Sequence, residues 1–371
     1  MIHNTAFLMF CATLTAFVLT YMFIPSIIKV AEIKHLFDTP DERKSHQEVI
    51  PTLGGIGIFS GFLISFCLFA HFGPGNNIQY VVAALCFMFM LGAKDDIVEL
   101  VPYKKFIGQI FAAAIIVFVG NIRITSMYGL FDISMIDYIP SVILSMLTII
   151  FIINAFNLID GINLLAGGVG IIVSVAFGVW FHFYGFIEYA VLCAAMAGAV
   201  LAFLKYNYTP AKIFMGDSGS LSLGLLSAVL AIQFIEHNEV VLKSASSVGM
   251  PMVSSPAMAI AVLIIPVFDT LRVFTLRLIN KKSPFSADRN HVHHRLIDLG
   301  LTHIQASYIL FAVNIFFIAV AYYLQPIGNL YLLIVLFVLA MLLMTVLNLL
   351  YAKKAGMFSN PNKKFSFRSF F

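Results

Sequence analysis

The sequence predicts an all-α polytopic membrane protein with about eleven transmembrane helices, and three observations carry that prediction. The chain of 371 residues is 61% hydrophobic and only 11% charged, whereas a soluble domain carries about 25% charged residues. Its apolar residues fall into eleven runs, most of them close to the roughly 20 residues that cross a bilayer core. Its positive charges alternate between loops, as membrane insertion requires. A soluble globular protein is therefore excluded.

The predicted spans cover most of the chain. The first run has no basic segment before it and no small-residue cleavage site after it, which indicates an uncleaved span rather than a signal peptide. All four cysteines lie inside apolar runs, so neither a disulfide framework nor a thiolate metal site is predicted. The eleven predicted spans are residues 5–28, 53–72, 78–93, 107–120, 139–156, 162–182, 187–204, 219–235, 256–276, 303–324 and 328–351.

The basic residues predict which side of the membrane each loop occupies. Of the 22 Lys and Arg residues, 20 lie in one set of alternating loops, at an adjoining helix end or in the C-terminal tail. Because cytoplasmic loops carry the excess of positive charge, we expect the N-terminus outside and the C-terminus in the cytoplasm. Residues 1–352 would form a single transmembrane domain, and residues 353–371 would form a basic cytoplasmic tail.

The acidic residues gather on the same predicted side. Thirteen of the 18 Asp and Glu residues fall there, although a charge within hydrocarbon costs several kcal/mol and is rarely kept without a task. Acids at mid-helix on several spans would indicate a cation-coupled transporter, whereas these acids lie near helix ends. Five of them lie at helix ends or in very short loops, namely Asp95, Asp96, Asp160, Asp217 and Asp269.

The first polar cluster is a pair of adjacent carboxylates, Asp95 and Asp96, followed by Glu99, Lys104 and Lys105. Two adjacent carboxylates raise each other's pKa unless a cation compensates their charge. The pattern therefore fits a site for a metal or a phosphate-bound metal. A solvated loop neutralised by its own lysines is the alternative interpretation.

The second cluster is a run of amides that ends in a carboxylate. Asn154, Asn157 and Asp160 are spaced three residues apart, so a helix end would place them on one face. Amide and carboxylate oxygens suit Mg²⁺ that is bound jointly with substrate phosphates. A helix C-cap at Asp160 and Gly161 is the alternative, but it leaves two amides in an apolar run unexplained.

The third cluster is the segment F-M-G-D-S-G-S, which begins at Phe214 and precedes the eighth predicted span. Asp217 and Ser218 are natural N-caps, and the two glycines let backbone amides approach an anion at a helix N-terminus. A capping aspartate without catalytic function would produce the same pattern. Taken alone, this segment does not decide between the two interpretations.

The fourth cluster is the loop from Asp288 to Arg295, which contains three histidines within four residues. A zinc site is disfavoured because no fitting Cys or Glu stands at ligand spacing and the neighbouring arginines repel a cation. Donation from Arg295 and the histidines to a phosphate or a sugar hydroxyl fits the local charge better. Contact with anionic lipid head groups is the alternative.

The combined clusters match the requirements of phosphoryl transfer between a lipid and a soluble nucleotide. Carboxylates and amides suit Mg²⁺, basic groups offset phosphate charge, and positioning accounts for most of the catalysis. The sequence has no P-loop, no H-E-x-x-H and no G-x-S-x-G, which argues against an ATPase, a zinc protease and a serine hydrolase.

These motifs resemble the polyprenyl-phosphate N-acetylhexosamine-1-phosphate transferase family. The last motif is similar to the WecA/TagO-like branch, which uses UDP-GlcNAc, rather than to the MraY branch, which makes lipid I. The resemblance runs from about Arg43 to Gly300 and rests on four motifs in the family's order: DD-x-x-E at Asp95, N-A-F-N-L-I-D-G at Asn154, F-M-G-D-S-G-S at Phe214 and H-x-H-H-R at His291.

The resemblance implies that residues 1–352 form a transferase domain, which moves N-acetylglucosamine-1-phosphate from UDP-GlcNAc to undecaprenyl phosphate and releases UMP. It implies a Mg²⁺ cofactor, for which Mn²⁺ could substitute, and a place in the bacterial cytoplasmic (inner) membrane with the active site on the cytoplasmic face. The implied partners are both substrates, the lipid bilayer and a second copy of the chain in a homodimer, without nucleic acid. UDP-MurNAc-pentapeptide or another UDP-HexNAc is the alternative donor.

The resemblance also implies roles for individual residues. Asp217 would be the principal Mg²⁺ ligand, helped by Asn157, while Asp95, Asp96 and Asp160 would be catalytic. One departure is that the family's G-I-D-G-L reads G-I-N-L here, so a second carboxylate is absent. The implied substrate contacts are Lys105 with phosphate, Phe214 with uracil, Asn163 near the nucleotide, and His291, His293, His294 and Arg295 with the sugar, with Lys44 and Asn154 completing the substrate-binding set.

Overall fold

The computed structural model describes residues 2–36, 50–73, 77–130, 135–243, 252–281 and 290–354. Helices make up 82% of these residues, which contain no strand and only an isolated bridge between Ser126 and Met135. The all-α prediction is confirmed. The helices are α1 Ile2–Lys34, α2 Gly54–Phe69, α3 Ile78–Ile97, α4 Pro102–Ala114, α5 Tyr138–Ile159, α6 Leu165–Phe183, α7 Ile187–Asn207, α8 Gly216–Lys243, α9 Ser255–Val262, α10 Ile264–Ile279, α11 Val292–Asp298, α12 His303–Leu324 and α13 Asn329–Lys354.

Most of these helices are long and apolar enough to cross a bilayer. In the described part of the chain, nine helices meet that criterion, and the α9–α10 pair gives a tenth if it is one bent span. Helix α4 is among the nine because a π-helical turn, Ile115–Val119, extends it. Helix α2 is apolar but has only 16 residues. A multi-pass membrane protein is confirmed, while the count of eleven spans and the orientation of the termini stay predictions.

Helices α3 and α8 are among those that extend beyond their predicted spans, and this places acidic residues inside them. Helix α3 continues to Ile97 instead of ending at residue 93, and α8 begins at Gly216 instead of residue 219. Hydropathy ends a span at its first charged residue, whereas backbone hydrogen bonding continues through that residue. Asp95, Asp96 and Asp217 therefore lie in the terminal turns of helices rather than in loops.

The ninth predicted span, 256–276, is not one straight helix. It is broken at Leu263 into α9 and α10, which are inclined by 82°. Pro266 lies in the first turn of α10 and has no N–H to donate to the carbonyl of Val262, four residues earlier. That carbonyl instead accepts a hydrogen bond of 3.1 Å from the Asn314 amide on α12. The bend turns α10 away from α9 and toward Asn290 and His291, which immediately precede α11.

Helix α8 occupies the centre of the bundle and is covered along its apolar length. It packs against α2, α3, α5 and α6, and glycines allow the closest of these approaches. A Cβ atom at Gly92 on α3 would lie 2.6 Å from the Asp217 carbonyl oxygen, so α3 meets α8 at its first turn. The ends of α3 and α5 and the start of α8 therefore converge at one end of the bundle.

Candidate active site

Asp96 binds the first turn of α8. Its Oδ1 accepts from the backbone N–H of Asp217 at 2.6 Å, and its Oδ2 accepts from that of Ser218 at 3.0 Å. These amides have no partner within the helix, and a carboxylate there also interacts favourably with the helix dipole. Asp96 thus acts as an N-cap supplied by another helix, and it fixes where Asp217 stands.

Asp95 and Asp217 share a single lysine. The Lys105 ammonium lies 2.8 Å from Asp95 Oδ2 and also pairs with Asp217 Oδ2. The other oxygen of Asp95 accepts from the Leu100 backbone at 2.6 Å, across the turn that joins α3 to α4. Two carboxylates on different helices are therefore joined by one positive charge.

Asn157 completes this cluster from α5. Its amide nitrogen donates to Asp217 Oδ1 at 2.8 Å and to the Ser220 hydroxyl at 3.1 Å. The structure thus brings together Asp95, Lys105, Asn157 and Asp217, which were predicted from three separate motifs. We call these four residues the acid cluster. Ser220, which lies beneath Asn157, was not predicted.

Asp160 follows α5 as its C-cap residue and is partly exposed. Partial burial raises the pKa of the Asp160 carboxyl above its usual range, and the nearby carboxylates of Asp217 and Asp96 raise it further. The sequence alternative of a C-cap is correct as local structure. It does not remove Asp160 from the site, because the charges of Asp217 and Asp96 act on its carboxyl.

Asn154 lies on the same helix as Asn157 but faces a different partner. Its amide nitrogen donates to Gln109 Oε1 at 2.7 Å, and Gln109 Nε2 donates back to Asn154 Oδ1 at 3.3 Å. Asn154 also donates to the Ile150 carbonyl at 2.7 Å. Its amide is therefore engaged within the bundle rather than with the acid cluster.

Asn163 and Phe214 belong to segments that are held by hydrogen bonds to neighbouring segments. The side-chain amide of Asn163 donates to the Thr209 hydroxyl at 2.9 Å, and the backbone carbonyl of Asn163 accepts from the Ser307 hydroxyl at 2.7 Å. The Phe214 backbone bonds to Pro51 and Gly54, each within 2.9 Å, and its ring is half-buried. Residues 51–55, which lead into α2, therefore support the segment that leads into α8.

Residues 290–295, which we call the histidine loop although α11 begins at Val292, are anchored by Asp269, which is 3% exposed. Asp269 Oδ2 lies 2.8 Å from His291 Nδ1, and its Oδ1 accepts from Arg272 at 2.9 Å and from the Val292 backbone at 3.1 Å. Arg272 also donates to the Asn290 carbonyl. The bend between α9 and α10 thus places Asp269 and Arg272 where they bind Asn290, His291 and Val292.

The remaining members of the histidine motif lie on α11. The His291 and His293 rings stack at 5.6 Å, and His293 and His294 are 4.3 Å apart between ring centroids. Arg295 donates to Asn348 on α13. Burial lowers the pKa of His293 to about 3 and that of Arg295 to about 10. His293 is therefore neutral and Arg295 charged near pH 7.

His293 joins the loop to the end of α5. A Cβ atom at Gly161 would lie only 2.5 Å from His293 Nε2, so the imidazole packs directly on this glycine. Gly161 follows Asp160, and the second and fourth motifs are thereby in contact. Lys44 was also predicted to bind substrate, but it lies outside the described residues.

The donor set of the acid cluster fits Mg²⁺. Among the described residues no three His, Cys, Asp or Glu side chains are grouped closely enough to hold a metal ion. Mg²⁺ does not need such a cage, because it is commonly bound by one or two carboxylates together with substrate phosphates. Asp95 and Asp217, joined here by an ammonium group, and the amide of Asn157 provide oxygen ligands of that kind.

Sequence reasoning missed two anchoring residues. Asp269 was noticed as an acid near a helix end, but no role was assigned to it, and Gln109 was not considered. Asp269 and Arg272 are three residues apart in an otherwise apolar run, which predicts an ion pair on one helix face. Gln109 carried a weaker signal, since a lone amide in an apolar run requires a partner that the sequence does not identify.

The fold and site define a multi-pass membrane protein whose helix ends build an acidic, lysine-bridged centre beside a histidine loop. The chain belongs to the glycosyl transferase family 4, which residues 78–235 match. It is 31% identical to the decaprenyl-phosphate N-acetylglucosaminephosphotransferase of Mycolicibacterium smegmatis, over 80% of this chain and 77% of that protein. It is 30% identical to the probable undecaprenyl-phosphate N-acetylglucosaminyl 1-phosphate transferase of Bacillus subtilis, over 81% of this chain and 80% of the relative.

Proposed function

We propose that the protein transfers N-acetylglucosamine-1-phosphate from UDP-GlcNAc to undecaprenyl phosphate, giving undecaprenyl-pyrophosphate-GlcNAc and UMP. The observation that carries the proposal is the sharing of Lys105 by Asp95 and Asp217 at the start of the central helix, beside Asn157. The names of the relatives, which describe phosphotransferases of N-acetylglucosamine, support it.

The site lies where a lipid and a soluble nucleotide can meet. The acid cluster stands at the ends of apolar helices, so a polyprenyl chain could remain in the bilayer while its phosphate reaches Lys105. The distribution of basic residues supports a cytoplasmic location for this end, with eleven spans and the N-terminus outside. A nucleotide sugar would then approach from the cytoplasm of a bacterial cell.

Magnesium would be held by Asp217 and Asp95, with Asn157 as a further oxygen ligand. When bound, it would neutralise the charge of the pyrophosphate group. Lys105 would bind phosphate oxygens, because its ammonium already lies between the two carboxylates. Asp96 would hold the first turn of α8 and so keep Asp217 in place.

The proposed reaction is a single displacement. An oxygen of the lipid phosphate attacks the phosphorus that carries the sugar, and the bond from that phosphorus to the bridging oxygen of UMP breaks. The second pKa of a phosphate monoester is about 6, so the lipid phosphate is mostly dianionic near pH 7 and needs no strong base. Asp160, whose raised pKa favours a protonated carboxyl that can donate to phosphate, would orient it, and the histidine loop would hold the sugar.

The test is to incubate the purified protein with undecaprenyl phosphate, Mg²⁺ and a panel of UDP-sugars, and to measure UMP. We expect release with UDP-GlcNAc that requires the lipid and stops when EDTA removes the metal. Release only with another donor would overturn the assigned sugar, and release that survives EDTA would overturn the assigned metal. A phosphorylated enzyme trapped without lipid would replace the single displacement with a two-step route.

A further inference from the structure

An amide pair joins α4 to α5 within the apolar part of the bundle. Gln109 and Asn154 bond to each other in both directions, at 2.7 and 3.3 Å. Gln109 is 2% exposed, so its amide has no access to solvent. Asn154 donates its second N–H to the Ile150 carbonyl, so both of its donors are engaged within the protein.

The pair lies one helical turn below two members of the acid cluster. Gln109 follows Lys105 by four residues on α4, and Asn154 precedes Asn157 by three residues on α5. Residues at these spacings lie on the same helix face, one above the other. The amide pair and the contacts of Lys105 and Asn157 with Asp217 therefore lie along a single seam between the two helices and α8.

Such a pair determines how far one helix can slide along its neighbour. An axial shift of one helix along the other would break both hydrogen bonds of a two-way amide pair, because each bond depends on direction as well as distance. Polar pairs between membrane helices add only modestly to stability. Their better-supported contribution is to specify register, as a single buried amide does in coiled coils.

We propose that Gln109 and Asn154 form a register lock that aligns α4 with α5 and thereby positions Lys105 and Asn157 on Asp217. Both are positioning residues and neither contacts substrate. This inference rests on the proposed function, because it concerns the same site. A displacement of about 1 Å at a positioning group can cost on the order of 100-fold in rate, so a slipped register would lower turnover.

The test is a double-mutant cycle with Gln109→Leu, Asn154→Leu and the combined variant. We expect each single change to lower kcat by about 10- to 100-fold, with little change in KM for the nucleotide sugar. The combined variant should be no slower than the poorer single variant, because a lost pair cannot be lost twice. Additive effects, or a kcat unaffected by Gln109→Leu, would overturn the lock.

The result separates positioning from substrate binding and from folding. If Asn154 contacted substrate, Asn154→Leu would raise KM while Gln109→Leu changed nothing. If the single variants fail to fold, the combined variant still tests the lock, because it leaves neither amide without its partner. Wild-type turnover in the combined variant would refute the lock. Asn238→Leu is the matched control, since Asn238 is a buried amide that binds the Met252 backbone at 2.7 and 3.0 Å, toward the far end of α8. It should lower the melting temperature without changing kcat.

Failure of the lock and failure of the proposed function give different results. Release of UMP by the wild-type protein tests the function on its own. The cycle compares variants with one another, so it can be run with whichever UDP-sugar the wild-type protein accepts. Additive variants of an active enzyme would overturn the lock and leave the transferase assignment standing.

Discussion

The acid cluster and the histidine loop differ in how fully the negative charge of their carboxylates is compensated. In the acid cluster, Asp95 and Asp217 share one ammonium group, that of Lys105. In the loop, Asp269 alone receives three donors: a histidine nitrogen, an arginine and a backbone amide. One region thus holds negative charge in excess of its counter-charge, and the other is already compensated.

This difference indicates what each region does. Excess carboxylate charge near a bundle end is costly to maintain unless a cation and phosphates arrive to compensate it. A carboxylate saturated by protein donors has no capacity left for a ligand, so its contribution is to orient the groups bound to it. We therefore expect changes in the acid cluster to affect the chemical step, and changes around the loop to affect binding of the nucleotide sugar.

The largest effect is expected from Asp217→Asn, which keeps the size of the side chain and removes its charge. Loss of a metal ligand removes stabilisation of developing charge, so kcat should fall on the order of 10³-fold or more. UMP release under saturating substrates measures it. Glu236→Gln is the control, because Glu236 lies on the same helix and already accepts from Thr125 at 2.7 and 2.5 Å. Equal losses in the two variants would remove the distinction between excess and compensated carboxylates.

A smaller and different effect is expected from Asp269→Asn. An amide cannot accept at both ends, so one of the contacts with His291 and Arg272 is lost and the loop loses its anchor. Loss of an outer partner of a site residue typically costs about 10- to 100-fold, and here most of it should appear as a raised KM for UDP-GlcNAc. Initial rates at varied donor concentration measure the split. A fall in kcat with unchanged KM would place Asp269 functionally with the acid cluster.

The acid cluster was more accessible to sequence reasoning than the loop. Asp95, Lys105 and Asp217 carry charge in or beside apolar runs, and such residues have few roles other than function. Helical spacing put Asn154, Asn157 and Asp160 on one helix face, but it did not indicate that Asn157 contacts Asp217 while Asn154 contacts Gln109. Periodicity specifies a helix face and does not specify which neighbouring helix covers that face, so the Gln109 pair required the packing of α4 on α5.

The contacts of the histidine loop could not be predicted from the sequence, because they depend on a helix bend that hydropathy does not report. The ninth predicted span is apolar apart from Asp269, Arg272 and two threonines, so hydropathy treats it as one continuous helix. Its 82° bend is what brings Asp269 to His291. Pro266 was the available signal, because a proline in an apolar run predicts a break in the hydrogen bonding of the preceding turn. The partner of the freed carbonyl, Asn314, is 52 residues away and belongs to tertiary structure.

A third change tests the contact between the two regions. Gly161→Ala would place a methyl group against His293 Nε2, where a Cβ atom would lie at 2.5 Å. Overpacking of this kind typically costs about 1–3 kcal/mol. A cost at the lower end of that range would raise KM for UDP-GlcNAc by roughly 5- to 10-fold as the loop moves. The rise should be smaller in a His293→Ala background, where the methyl group finds space. An equal rise in both backgrounds would show that Gly161 acts independently of the loop.

The smallest effect concerns stability rather than turnover. Burial lowers the pKa of His293 to about 3, whereas an unfolded histidine has a pKa of about 6.5. Between these values the unfolded chain binds a proton that the folded chain does not, so stability is complete above about pH 6.5 and declines as the pH falls toward the folded pKa. The decline is at most about 1.4 kcal/mol per pH unit.

Melting temperatures of wild type and His293→Gln between pH 8 and 5 test this, since glutamine does not titrate. The wild-type curve should fall below about pH 6.5 more steeply than the variant curve. Parallel curves would mean that His293 accepts a proton in the folded protein, and the histidine loop would then carry positive charge beside Asp160. In that case the loop would itself compensate the acid cluster, and the two regions would be electrostatically one site.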